Sequence, residues 1–500
     1  MCLVIRADAT VQIGTGHLMR CLALSQAWQL DGGQSIFVMA SEAPACEARL
    51  QSEGMEIVHL SNCPGSDADA IQTADYACHM NASWVVLDGD HFGATYQRIM
   101  KESKLRLLVI DDNGHAEHYY ADIVLNQNLH GREGMYVNKE PYTELLLGTR
   151  YVLLRQEFLR RREEKKAPKV ANKLLVTLGG SDPNNVTLKV IRALQQGEIC
   201  DMEITVIVGG SNPHLQELQS AIRDSRLTIR LESNVTNMSA LMAWADMAIS
   251  SASCTSLELA FMGVPTLLLE LAPNQHYAAE GLDTARVAIN LGRAEHLSSS
   301  AIAREIMRLQ LAMSKREEMA QRGRQLVDGK GTHRTLLHMK SADLRIRKTR
   351  ENDSKLLWKW ANDQEVRAAS FSSEPVPWKQ HAKWFESKLR DPNCIFYVIT
   401  NEDGTPIGQI RYDITGSEAI ASISLDTKFR GRGYGSASIW LSSRELFDIS
   451  GVTLIHAYTK QANEASIHAF MRAGFSNVGK TIFRGNEAVH LVLRTEKPIT

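Results

Sequence analysis

The chain has 500 residues, 44% apolar and 23% charged, with a formal net charge of −1. That is too long for one core and predicts about two to four globular domains. The neutral balance leaves no basic footprint for nucleic acid or an acidic membrane, and no run approaches the roughly 20 apolar residues that span a bilayer. With no signal peptide ahead of the first strand, the expected location is cytoplasmic. Cys2, Cys21, Cys46, Cys63, Cys78, Cys200, Cys254 and Cys394 form no C-x-x-C pair, so they read as buried or idle thiols.

Leu3-Val4-Ile5 predicts a short buried strand, and Leu18 to Leu30 has the apolar spacing of a helix. Between them lies Ile13-Gly14-Thr15-Gly16-His17, a glycine turn that sets backbone N–H groups and a helix's positive end beside a bound anion. His17 falls in the first helical turn. Met19 takes the place of the third glycine of a dinucleotide fingerprint, so the turn reads as tolerant of phosphate and not as an NAD loop. Four further strands are predicted at 35–39, 57–60, 84–87 and 107–110, nearly continuously apolar as in a parallel sheet covered on both faces. Polar residues follow the strands: Asp8, Asp88, Asp90, Asp111, Asp112 and Asn126-Gln127-Asn128. Asp88-Gly89-Asp90 has a spacing that some glycosyl-transferring enzymes use for a divalent cation, but it is also common turn chemistry; no metal ligand is assigned.

The charged run from Arg160 to Lys166, closed by Pro168, marks a first boundary. A second α/β pattern then runs to about residue 338: a strand at 173–178, Gly179-Gly180-Ser181-Asp182-Pro183 opening a helix with Ser or Asp as its cap, and a near repeat in Gly209-Gly210-Ser211-Asn212-Pro213. Another strand–loop–helix–strand unit follows at 247–269, and one long charged helix is predicted from about 315. From Leu344 the composition changes to α+β, with alternating strands at 395–399, 407–412 and 421–425 and a hairpin turn at Gly404-Thr405-Pro406. Arg430-Gly431-Arg432-Gly433-Tyr434-Gly435 then leads into a helix over 436–447, a cradle suited to pyrophosphate, with arginine counter-charge.

These residues carry two resemblances. Arg6-Ala7-Asp8 with Gly14-Thr15-Gly16-His17 and Arg20–Leu24, the stretch Tyr151–Phe158, Gly179–Pro183, Glu258-Leu259-Ala260 with Gly263-Val264-Pro265, and Asn274-Gln275 resemble the UDP-sugar hydrolases of pseudaminic acid biosynthesis, relatives of GT-B glycosyltransferases. Arg430-x-x-Gly433-x-Gly435, with Asn463–Ile467 and Ala473-Gly474-Phe475, resembles the GNAT acetyltransferases. The implied fold class is α/β: two Rossmann-like domains in GT-B arrangement (1–160 and 161–340), followed by an α+β GNAT domain (344–500).

The first resemblance implies His17 as general base for water attacking the anomeric carbon, within a Gly14/Gly16 turn. It implies Arg155, Glu258, Asn274 and Gln275 as substrate-binding residues, Glu258 holding ribose hydroxyls. The helix N-terminus is expected to depress the His17 pKa. Ala252-Ser253 stands where that family tends to have Gly-Gly, which would matter if the loop required positive φ. The second resemblance implies acetyl-CoA as co-substrate, held by residues 430–435 and Asn463, with backbone N–H groups near Ile423–Leu425 polarising the thioester. Phe470 replaces a tyrosine that many members use as general acid, leaving Tyr434 and Tyr458 as candidates; His381 and Glu374 lie in the acceptor segment.

The expected activity is bifunctional, acetylating the 4-amino group of a UDP-linked amino sugar and hydrolysing UDP-2,4-diacetamido-2,4,6-trideoxy-β-L-altropyranose. A glycosyltransferase with an appended acetyltransferase, and a non-catalytic nucleotide-sugar sensor, are the competing readings.

Overall fold

The computed structural model describes residues 1–10, 14–162, 165–180, 182–197, 201–210, 212–223 and 225–495. Ile13, Glu163, Glu164, Ser181, Cys200 and Ser211, named above, lie outside the described residues. The chain divides into two compact units, Met1–Arg334 and Thr335–Thr500.

The first unit opens with β1 (Cys2–Ala7), α1 (Gly16–Leu30), β2 (Gln34–Met39), α2 (Pro44–Ser52), β3 (Glu56–His59), α3 (Asp67–His79), β4 (Ala82–Asp88), α4 (Ala94–Glu102), β5 (Leu107–Ile110), β6 (Ile123–Asn126) and β7 (Glu144–Leu147). All pair in parallel in the order β3-β2-β1-β4-β5-β6-β7. The inner strands are buried along nearly their whole length, because helices cover both faces of a parallel sheet. The order reverses between β1 and β4, so the loops leaving those two strands open a crevice at their carboxyl ends.

A short helix α5 (Gln156–Leu159) leads to β8 (Lys173–Thr177), α6 (Val186–Gln196), β9 (Glu203–Val208), α7 (Leu215–Arg223), β10 (Ile229–Ser233), α8 (Met238–Trp244), β11 (Met247–Ser251), α9 (Cys254–Met262), β12 (Thr266–Glu270), α10 (His276–Thr284), β13 (Ala288–Arg293), α11 (Ser299–Leu311), α12 (Met313–Leu326) and α13 (Gly331–Ser341). This second parallel sheet runs β10-β9-β8-β11-β12-β13 and reverses between β8 and β11. Two apolar clusters fill its two faces, one around Val176, Val190 and Ile306, the other around Leu175, Phe261 and Leu268.

Two local expectations are corrected. The cap of α6 is Asn185, in a left-handed conformation; Asp182 lies three residues earlier and accepts from the backbone N–H groups of Val186 and Thr187 at 2.9 and 2.7 Å. The charged helix from about 315 is two helices. The chain breaks at Gly329, whose φ of +81° favours glycine and whose Cβ would lie 2.6 Å from the Phe261 ring.

The second unit contains β14 (Leu344–Lys348), α14 (Ser354–Ala361), α15 (Gln364–Ala369), α16 (Trp378–Arg390), β15 (Cys394–Asn401), β16 (Pro406–Thr415), β17 (Glu418–Leu425), α17 (Tyr434–Ile449), β18 (Leu454–Thr459), α18 (Glu464–Arg472), β19 (Ser476–Phe483) and β20 (Asn486–Arg494). The mixed sheet runs β14-β15-β16-β17-β18-β20-β19, with β17 and β18 its parallel pair. That pair holds for three rungs, ending at Ile420 opposite His456; from Ala421 to Leu425, β17 is paired only with β16. One face packs on α17 and α18 around Tyr412, Ile439 and Phe470; the β15 part of the other face packs on α14 and α16 around Trp360 and Phe385. No helix among the described residues is long and apolar enough to cross a membrane.

Candidate active sites

At the reversal of the first sheet, the chain sets four charged or titratable side chains together. His17 stands in the first turn of α1 and Arg20 one turn later, so both project from one side of the helix. Asp88 ends β4, beside β1, and Asp112 follows β5. Arg20 donates from Nε and Nη2 to the two Asp88 oxygens at 2.7 and 2.6 Å, and from Nη1 to both Asp112 oxygens at 2.9 and 2.7 Å. His17 Nδ1 lies 2.5 Å from Asp88 Oδ1. Burial by itself would favour a protonated Asp88, but Arg20 and His17 more than offset it and hold the carboxyl far below its usual range. Since Asp88 is a carboxylate, the proton of the short contact belongs to His17 Nδ1. Nε2 is therefore the ring nitrogen left to accept one.

The expected depression of the His17 pKa is corrected. Burial does lower it, but the charge and hydrogen bond of Asp88 raise it by more, so the net direction is upward from 6.5. A full carboxylate in contact outweighs the partial charge of a helix end. Sequence reading named Asp88 among the polar residues at strand ends and for its D-x-D spacing, and Arg20 within the resembling stretch, but gave neither a role in the site. Asp88 is fully buried and committed to Arg20 and His17, whereas the Asp90 side chain is 62% exposed, so the two acids do not converge. The available signal was an arginine inside an otherwise apolar helix, with an acid at a central strand's carboxyl end.

Glycines bring the second sheet's loops against this turn. Gly14 has φ +80°. A Cβ on Gly180, in the loop after β8, would lie 2.8 Å from Thr15 Oγ1, and one on Gly209, after β9, 1.9 Å from the Gly180 carbonyl. Gly16 faces Cys254 Sγ at the start of α9, and Gln127 Nε2 donates to that sulfur at 3.4 Å. Burial pushes the Cys254 thiol up to about 12, so it lines the crevice as a neutral group. No side chain caps α1 or α9, so the N–H groups at their starts are not taken by a side-chain cap and can meet an anion, although the Ser256 N–H already donates to the Ser253 carbonyl at 2.9 Å. Ser253 has φ −130° and Ala252 is not among the positive-φ residues, so this loop needs no Gly-Gly.

Arg155 and Glu258 are brought together: Arg155 Nη2 donates to Glu258 Oε1 at 3.0 Å, and its Nη1 lies 2.8 Å from Glu157. The strap carrying Arg155 is fixed by backbone bonds from Leu153 to Gln127 Oε1 and from Gln156 to Gln26 Oε1. Gln275 Oε1 accepts from the Leu271 backbone at 2.9 Å, and Asn274 beside it is exposed. Among the described residues, no group of three or more His, Cys, Asp or Glu is arranged to hold a metal.

In the second unit, Gly431 and Gly433 have φ of +71° and +79°, and Gly433 is the uncapped N-cap of α17. This bend leads into a helix whose entrance has no side-chain cap, a backbone arrangement of the kind that suits a pyrophosphate. Arg430 is engaged in holding the loop: it donates to the Leu425 carbonyl at 3.0 and 2.8 Å, to Asp363 at 2.8 Å and to Glu365 at 2.7 Å. Arg432 is exposed, and its carbonyl accepts from Lys340 Nζ at 3.0 Å. Tyr434 begins α17, and its ring meets that of Phe429 edge-on. Asn463 Oδ1 caps α18 through the Ser466 N–H. Phe470 is buried against Phe475, and Tyr458 is stacked between Phe483 and His490. His381 is buried, with Nε2 3.0 Å from the Ser354 carbonyl, while Glu374 is exposed.

Residues 174–331 match the Glycosyltransferase family 28 C-terminal domain, and residues 343–476 match the Acetyltransferase (GNAT) domain. An uncharacterised protein of Methanocaldococcus jannaschii is 24% identical over 98% of this chain and all of its own length. The spore coat polysaccharide biosynthesis protein SpsG of Bacillus subtilis is 27% identical over 47% of this chain and 69% of its own. The UDP-2,4-diacetamido-2,4,6-trideoxy-β-L-altropyranose hydrolase of Campylobacter jejuni is 26% identical over 51% of this chain and 85% of its own. The chain therefore carries a region similar to the glycosyltransferase family 28 C-terminal domain, followed by a region similar to the GNAT acetyltransferase domain.

Proposed function

We propose that the chain is a bifunctional sugar-nucleotide enzyme: the GNAT domain acetylates the 4-amino group of a UDP-linked amino sugar, and the GT-B unit hydrolyses the resulting UDP-2,4-diacetamido-2,4,6-trideoxy-β-L-altropyranose. The observation that carries the hydrolase reading is the His17–Asp88 pair at the first sheet's reversal, with Nδ1 held by Asp88 and no hydrogen bond to Nε2 among the described residues. The likeness to the Campylobacter hydrolase over 85% of that protein supports the substrate.

In this reading the diphosphate lies against the uncapped N-terminus of α9 and the Gly179-Gly180 loop, where N–H groups meet its growing negative charge. His17 Nε2 takes a proton from water as the water oxygen bonds to the anomeric carbon and the bond to UDP breaks. Asp88 stabilises the imidazolium so formed and keeps the ring oriented, and Arg20 fixes Asp88. Glu258, held by Arg155, retains an oxygen for a ribose hydroxyl. In the other unit, acetyl-CoA supplies the acyl thioester. The 430–435 loop binds its pyrophosphate, Asn463 orders the entrance of α18, and the edge of Ala421–Leu425 beyond the last rung with β18 orients the thioester arm.

The match of residues 174–331 to a glycosyltransferase family favours one second reading, transfer of the sugar to an alcohol in place of water. The deciding experiment supplies the purified chain with the UDP-linked 4-amino sugar, with and without acetyl-CoA, and follows free UDP and free coenzyme A together. Release of both, with UDP dependent on acetyl-CoA, is the expected result. Coenzyme A without UDP would overturn the hydrolase assignment, and UDP release only on adding an acceptor alcohol would establish the transferase.

A further inference from the structure

The open face of the GNAT sheet carries a chain of three hydrogen-bonding side chains that the proposed function leaves unused. Glu418 opens β17, His456 lies on β18 and His490 on β20. Alternation along β18 turns Ile455, Ala457 and Thr459 into the core, so His456 and Tyr458 stand on the opposite face. His490 pairs directly with Tyr458 and shares that face. Glu418 Oε2 lies 3.1 Å from His456 Nε2, and His456 Nδ1 lies 2.9 Å from His490 Nε2.

The chemistry of the donors orders this chain. An ionised carboxylate only accepts, so His456 Nε2 carries a proton. The neutral ring then accepts at Nδ1, so His490 Nε2 carries the next proton and donates it. His490 Nδ1 is left with a lone pair. The location is equally specific: His456 occupies the last rung at which β17 and β18 pair, and His490, on β20 across β18 from β17, lies opposite the residue two further along β18, roughly 6–7 Å past that rung in the strand direction.

We propose that Glu418, His456 and His490 form a proton relay in which His490 Nδ1 is the general base of N-acetyl transfer. This rests on the acetyltransferase reading and deepens it. As the amine nitrogen bonds to the thioester carbonyl carbon, its proton passes to His490 Nδ1. The carbon–sulfur bond breaks, the coenzyme A thiolate takes a proton from water, and His490 returns one to solvent. Glu418 and His456 are positioning residues, fixing the tautomer that leaves His490 basic. The groups acting on His490 are few. His456 and the stacked Tyr458 come from β18, Glu418 acts from β17 through His456, and the β19 residue opposite is Gly479. Burial, then His456, hold His490 below the ordinary imidazole value, so it is neutral and able to accept a proton at pH 7.

The test uses the full chain, acetyl-CoA and the UDP-linked 4-amino sugar. His490→Gln is expected to lower kcat by about 10²-fold or more and to remove the acid limb of its pH profile, leaving acetyl-CoA affinity unchanged. Glu418→Gln, at a side chain 58% exposed, tests the relay without disturbing the core. It is expected to cut kcat several-fold. In imidazole nitrogen spectra of the protein alone, it should also shift His490 away from the Nε2-protonated tautomer. If the wild-type chain acetylates but His490→Gln keeps its rate within about twofold, or His490 is Nδ1-protonated in the wild type, the relay is overturned and the acetyltransferase reading stands. If the wild-type chain releases no coenzyme A, both fall.

Discussion

His17 is the side chain on which the hydrolase reading turns, and its partner makes it testable by pH. Its pKa is raised above 6.5, so the neutral form needed to accept a proton is gained only as pH climbs through that higher value. The acid limb of UDP release is expected above pH 6.5 in the wild type, and His17→Gln is expected to lower the rate about 10²- to 10⁴-fold. A rate for His17→Gln equal to the wild type's would remove His17 from the mechanism. The same shift contributes to stability with a defined sign. A folded pKa above the unfolded one stabilises fully below about 6.5 and is lost as pH rises through the folded value. The melting-temperature gap between wild type and His17→Gln should therefore be larger near about pH 6 than near about pH 9. An equal gap at both would mean that packing, and not the Asp88 ion pair, sets the difference.

Helix entrances bring the ligand-facing groups of both units into place. The start of α17 depends on Gly433 at φ +79°, a conformation that costs a residue with a Cβ about 1–2 kcal/mol. Gly433→Ala is expected to weaken acetyl-CoA binding by about tenfold, read by calorimetric titration, while UDP release from the diacetamido substrate is unchanged. A loss in both reactions would point to general unfolding. Arg430 lies in the same loop, but its four contacts are to Leu425, Asp363 and Glu365, so the structure makes it a brace for the cradle. Short strands such as β6 and β7, and edge strands such as β10 and β13, escaped the sequence reading. They have four to six residues, and the edges lack the continuous apolar run of a strand covered on both faces.

Each compact unit has its own apolar clusters, and in the proposed function each carries one of the two reactions. A ligand that binds only the folded form of one unit should stabilise that unit by mass action, about 2.7 kcal/mol at a hundredfold excess over its Kd. In scanning calorimetry, UDP is expected to raise one transition and acetyl-CoA the other. A single transition raised by both ligands would show that the units unfold together.

What the sequence by itself determined is the plan that local patterns encode. Continuous apolar strands alternating with helices, then alternating strands, announced two parallel-sheet domains and an α+β domain. The glycine turns at Gly14–Gly16 and Gly431–Gly435 marked two helix entrances, because positive φ is a local demand on the chain. What only the tertiary structure decided is which side chains meet. Asp88 is 71 residues from His17, and His490 is 34 from His456. Their contacts come from sheet order and strand register, which depend on pairings distant in the chain. For that reason the sequence pointed to His17 as a base but predicted the wrong direction for its pKa: the charge that decides it arrives from another strand.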